Sequence, residues 1–174
     1  MIKPLLFAPL ETKARFTIAP FMDFKTHCMI IKAFTNLKNV IFKGCTLKSI
    51  AENVGYITAQ SRPSLLSETG FSITKSSVMG KGQLYIGRPW DAFSRVIFSY
   101  TNMENIVLPQ GWDGTMGKDY HLLTAYYGEY RYSGPGSNFA ARAPWVHRLT
   151  DQEVQPFIGI HVIEGDTWLI SPTL

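Results

Sequence analysis

Three short runs in this chain share one shape. "FKGCTL" (42–47), "ITKSSV" (73–78) and "FSYTNM" (98–103) each hold four small or polar residues between two apolar ones, and they return at similar though unequal intervals. A second set, "GYITAQ" (55–60) and "GQLYIG" (82–87), falls between them. Recurrence of this kind suits a coiled solenoid of short strands. Each coil turns apolar residues inward and stacks on its neighbour, with small or hydroxyl side chains forming ladders. Helical periodicity is scarce, so an all-β fold is expected. On the residues alone a sandwich with turns every dozen residues stays open, because its strand density is similar. The segment 1–39 shares none of the repeat. It divides the chain into an N-terminal segment, 1–39, and a repeat domain, 40–174.

One helix is signalled. In "LTDQEV" (149–154), Thr150 precedes Glu153 by three positions, a capping box, and Pro156 limits the helix to about two turns. The following "FIGIHVIEGDTWL" (157–169) returns to apolar alternation, with Trp168 expected against the body.

Composition excludes several classes. Hydrophobic residues make up 45% and charged residues 17% of 174, which suits one globular domain with a sizeable core. A net charge of +4 fits an anionic partner without requiring one. No Lys/Arg block marks a nucleic-acid arm, and no apolar run reaches membrane-spanning length. Pro4, Pro9 and Glu11 interrupt the apolar start, which makes it a poor secretion signal. Cys28 and Cys45 could form one bridge, but two buried thiols are the preferred reading.

The usual chemical motifs are missing. There is no G-x-S-x-G, and His27, His121, His147 and His161 lack ligand spacing, so no metal or cofactor is expected. "SGPGSN" (133–138) reads as a turn. What remains is "GRPW" (87–90). Pro89 biases Arg88 towards extended backbone and fixes its own φ, so Arg88 and Trp90 are aimed at little entropic cost. A guanidinium grips a carboxylate through two parallel hydrogen bonds, and an indole offers a face to a sugar ring. An ion-paired arginine beside a packed tryptophan would look the same at this level.

"YITAQSR" (56–62), "ETGFSI" (68–73), "GQLYIGRPW" (82–90), "SRVIFSYTNMENIVLPQGW" (94–112), "YYGEYRYSGPGS" (126–137) and "LTDQEVQPF" (149–157) resemble, in order, the C-terminal half of plant pectinesterases. The likeness runs from about Val40 to Leu169. It implies the C-terminal coils of a right-handed parallel β-helix, closed by a short helix. It also implies secretion to the cell wall and cofactor-free hydrolysis of methyl esters in homogalacturonan (pectin). In that family one aspartate attacks the ester and a second acts as general acid and base. An arginine orients the nucleophile, and a tryptophan lines the sugar cleft. The resemblance assigns these last two roles to Arg88, catalytic, and Trp90, substrate-binding.

The family's aspartates stand in Gln-Asp-Thr-Leu and Asp-Phe-Ile-Phe-Gly motifs, and neither occurs here. Counting back from Cys45, the second motif should fall near "IIKAFTN" (30–36), with Lys32 about where the nucleophile is expected. Asp23 is the one nearby acid, and it lies too far upstream. Trp112 is followed by "DGTMGKD" where family members often carry another tryptophan, so Trp112 is expected to pack rather than face substrate. Three readings follow: an esterase with an incomplete catalytic set, a pectin-binding module without turnover, and a non-functional remnant. A solenoid that starts partway also needs a cover over its first coil, which residues 1–39 could supply.

Overall fold

A computed structural model describes residues 39–114 and 119–164, and the backbone of 24–31; for 119–121 it likewise describes backbone alone. Asp23, Lys32 and Trp168, and the side chains of Cys28 and His121, lie outside the described residues.

The chain winds as a parallel β-helix with three faces. The first face joins the start of β2 (Val40–Tyr56) to β4 (Phe71–Thr74), β7 (Arg95–Ser99), β9 (Tyr126–Tyr130) and β10 (His147–Arg148), all parallel. The second pairs the rest of β2 with β5 (Ser77–Tyr85), and β5 with β8 (Asn102–Met103). The third, a narrow one, pairs β3 (Ala59–Gln60) with β6 (Arg88–Pro89) and continues through a Gly87–Trp112 bridge. A short helix, α1 (Asp119–Thr124), precedes β9.

The register on the first two faces is the one the repeats predict. Phe42 pairs with Ile73 and Ile73 with Phe98; Leu47 pairs with Val78 and Val78 with Met103. The second set is staggered instead. Gly55 stands opposite Leu84, because the irregularity between Ile50 and Val54 shifts the pairing toward Gly82 without reaching it.

The corner between the first two faces has its own ladder. Gly44, Lys75, Tyr100 and Arg131 occupy equivalent places in successive coils, and all have positive φ, between 43° and 65°. An L side chain is strained there, so the geometry of the coil overrides local preference at three of the four positions. Next to it runs the small-residue ladder. The Cys45 backbone N–H donates to Ser76 Oγ at 3.1 Å, Ser76 Oγ to the Thr74 carbonyl at 2.8 Å, and Thr101 Oγ1 to the Ser99 carbonyl at 3.1 Å. Cys45 itself is buried in the core.

Inside the coils, Phe42, Ile73, Val78, Leu84, Ile86, Val96, Phe98, Met103, Trp112 and Tyr127 form one continuous apolar core. Trp112 is 1% exposed and lies edge-on to Phe98, so it packs, as expected. The inward row Phe42–Ile73–Phe98 ends on Glu129, also fully buried. Its carboxylate is matched by Arg142, with Nε 2.7 Å from Oε1 and Nη2 3.2 Å from Oε2, and Trp112 Nε1 donates to Oε1 at 2.9 Å. A buried carboxylate is tolerable only with partners of this quality.

The outer side of the first face is covered by the C-terminal stretch. Ile97 packs with Leu149 and Val154, and Ser72 Oγ donates to the Phe157 carbonyl. The capping box forms as predicted, opening α2 (Asp151–Val154), which gives way to a 3₁₀ turn over Gln155–Phe157 containing Pro156. The alternation after it does not make a strand among the described residues: Ile160–Ile163 is a 3₁₀ helix that leaves Ile160 exposed and buries Ile163. Ser133–Asn138 turns on Gly134 (φ 94°).

The other edge of β2 is met by β1 (Phe24–Ile31), paired antiparallel from Phe24–Ser49 to Ile31–Ile41. A piece of the N-terminal segment therefore lies along the first coil's edge, where a cover is required.

Candidate functional site

Arg88 sits on β6 at the end of the third face and Trp90 just past the end of that strand, with the guanidinium over the Trp90 ring. The strand is held on both flanks. Arg88 N–H donates to the Thr58 carbonyl at 3.2 Å, Trp90 N–H to the Gln60 carbonyl at 3.1 Å, and Asp113 N–H to the Gly87 carbonyl at 3.0 Å. Gly87 is required by close approach: a Cβ there would stand 2.3 Å from Thr58 Oγ1 and 2.7 Å from the Trp112 ring.

The two side chains differ in exposure. Arg88 is 5% exposed, whereas Trp90 is 47% exposed. The guanidinium carbon lies 4.4 Å from the centre of the Tyr56 ring and 5.6 Å from that of Trp90. Both rings are within cation–π range, so the cation is held between two π faces. Tyr56 in turn stacks on Tyr85, with centroids 5.5 Å apart and planes 15° from parallel.

Asp113 is the residue that the motifs did not flag. It stands one strand from Arg88, is 2% exposed, and its Oδ2 accepts from the Tyr56 hydroxyl at 2.8 Å. Burial, and then the hydrogen bond to Asp113, push the Tyr56 hydroxyl up to about 12. Tyr56 thus stays a neutral donor throughout the working pH range, with its ring on the arginine and its hydroxyl on the aspartate. A signal for Asp113 did exist: the step from Arg88 to Asp113 equals the step from Ile73 to Phe98. Nothing marked that interval as the relevant one for this face.

Around this group, Ser61 Oγ donates to Asp91 beside Trp90. The loop after β3 is shaped by Arg62, whose Nε and Nη2 reach the carbonyls of Ser67 and Leu65, each at 2.7 Å. Leu65 and Leu66 stand exposed in that loop. His147 stacks on Tyr126, and His161 Nε2 lies 3.0 Å from the Gln155 carbonyl. Among the described residues no three His, Cys, Asp or Glu side chains come together in a way that could hold a metal, and no helix is long and apolar enough to cross a membrane.

The stacked parallel strands define the class of the protein, a parallel β-helix solenoid. Comparison gives the particular family. The family model described as Pectinesterase matches residues 27–166, and the chain belongs to that family. An Arabidopsis thaliana chain named for the family, number 11, is 40% identical over 129 residues, 74% of this chain and 36% of its own length. Pectinesterase QRT1 of the same plant is 36% identical over 136 residues, 78% of this chain and 35% of its own. Pectin methylesterase from carrot superposes with a TM-score of 0.69 at 27% identity, covering 77% of this chain and 48% of that one. The chain thus spans a little over a third of the length of these curated relatives. The match begins at 27, upstream of the Val40 start read from the motifs, and takes in most of β1.

Proposed function

We propose that this chain carries the arginine–tryptophan part of a pectin methyl-ester hydrolase cleft, and that by itself it binds methyl-esterified homogalacturonan without turning it over. The observation that carries the reading is the geometry of "GRPW" in a member of this family. Trp90 presents a half-exposed indole, and Arg88 is fixed beside it between two aromatic rings. The indole is the sugar-facing surface, and the arginine is the family's orienting group.

Absence of turnover is proposed from the sequence, which lacks both aspartate motifs. An ester hydrolysis that has lost its nucleophile and proton donor keeps only binding, because such groups act as a unit. Secretion to the cell wall belongs to the same proposal and follows from the family alone.

The test is methanol release from highly methylated pectin, run beside binding of the same polymer, with Trp90→Ala, Arg88→Ala and Asp23→Asn as variants. The expected result is release at background and wild-type binding weakened about tenfold by Trp90→Ala, the loss of one stacking surface. Release that disappears in Asp23→Asn and Arg88→Ala would show an active enzyme with a rebuilt nucleophile. Binding indifferent to Trp90 would remove the cleft reading.

A further inference from the structure

Asp113 has no role in the reading so far, and its position gives it one. On the third face successive coils bring Ala59, Arg88 and Asp113 into one row: Ala59 pairs with Arg88, and the Gly87–Trp112 bridge sets Asp113 opposite Arg88. Gly87 and Trp112 point into the core, so Arg88 and Asp113 belong to the outer side of the sheet. Neighbouring strands are about 4.8 Å apart. A cation and an anion therefore share the row, both nearly out of water, with Tyr56 in contact with both.

Resting on the reading of this cleft as a homogalacturonan site, we propose that Asp113 sets its charge selectivity. The buried carboxylate offsets the charge of Arg88, so that the cleft takes the uncharged methyl ester of galacturonate in preference to the free carboxylate.

Two observations support this. Arg88 is too buried to reach a ligand carboxylate in the bidentate manner that gives arginine its affinity for anions. Tyr56 remains neutral and covers one side of the guanidinium. A free galacturonate would give up its hydration and meet an arginine already offset by Asp113. The methyl ester loses little hydration and keeps the whole of the Trp90 face.

The experiment is calorimetric titration of the full chain with trigalacturonate and with its fully methyl-esterified form, at physiological ionic strength, where distant charges are screened. Asp113→Asn removes the charge and retains an oxygen that can accept from Tyr56. Tyr56→Phe removes the hydroxyl and retains the charge. Wild type is expected to bind the ester about tenfold tighter than the acid, a difference of about 1.4 kcal/mol. Asp113→Asn should abolish that preference by gaining affinity for the acid alone, and Tyr56→Phe should keep it. A wild type that binds the acid more tightly overturns the proposal without any variant. So does a preference unchanged in a cooperatively folded Asp113→Asn. If neither trisaccharide binds wild type, the cleft reading fails and the selectivity goes with it; equal binding of both defeats the selectivity alone.

Discussion

Lys75, Tyr100 and Arg131 occupy backbone positions that favour glycine, and Gly44 holds the equivalent place in the first coil. The strain is set by stacking, since each corner must lie over the one before it. Lys75 can be relieved most cleanly, because its side chain is exposed, whereas Tyr100 packs edge-on to Tyr130 at 5.2 Å. Lys75→Gly is expected to stabilise the fold by about 0.5–1 kcal/mol, the left-handed penalty less the extra freedom glycine gains when unfolded. Urea denaturation of the two proteins checks the sign; a destabilised variant would mean that the lysine side chain contributes more than its backbone costs. Glu129 shows the reverse case at the same scale. A charged residue stands at an inward position of the coil because Arg142 and Trp112 supply the hydrogen bonds that water would have made.

Among the elements, α2 is the one written most locally, and it formed as written. Thr150 Oγ1 accepts from the Glu153 N–H at 3.3 Å, and Glu153 Oε2 accepts from the Thr150 N–H at 2.8 Å. The bond from the Thr150 N–H, and after it one from the Thr150 hydroxyl to the same Oε2 at 2.8 Å, favour the charged carboxylate and hold Glu153 below its usual range; Thr150→Ala removes the second of these. A depressed folded-state value contributes stability that is present above the unfolded value and is lost as pH falls through the folded one. Thr150→Ala should therefore cost about 1 kcal/mol at pH 7, the ordinary worth of an N-cap, and distinctly less near pH 3. Denaturant midpoints at the two pH values measure this, and a cost that does not change with pH would place the capping energy in the hydroxyl alone. The segment after α2 went otherwise than its alternation suggested. Apolar alternation in "FIGIHVI" fits a strand only where a neighbouring edge is open to pair with, and Ile160–Ile163 instead curls into a 3₁₀ helix.

Across the whole molecule the decisive contact is between β1 and β2. A parallel coil exposes a row of backbone donors and acceptors at each end, and such an edge recruits other chains unless it is covered. Here β1 runs antiparallel along β2, from Ser49 back to Ile41. Deletion of residues 1–38 should accordingly yield a chain that self-associates at micromolar concentration while the full chain does not, as read by size-exclusion chromatography with light scattering. Equal behaviour of the two would show that the first coil needs no cover.

How far the sequence determined this protein follows from the range of each interaction. The three six-residue runs, the capping box, the turn at "SGPGSN" and the "GRPW" strand end are all written within short windows, and each has the place its window implied. Tertiary structure alone decided the rest. Tyr56 and Asp113 are 57 residues apart and meet because stacked coils bring them together. The coil from Ala59 to its partner Arg88 is the longer, and the next, from Gly87 to Trp112, returns sooner. Loops absorb the difference between those lengths, so no fixed period in the sequence announces which residues will share a row. The repeat could say that the chain would coil. Only the stacked coils could say that an aspartate would lie beside the arginine, with a tyrosine touching both.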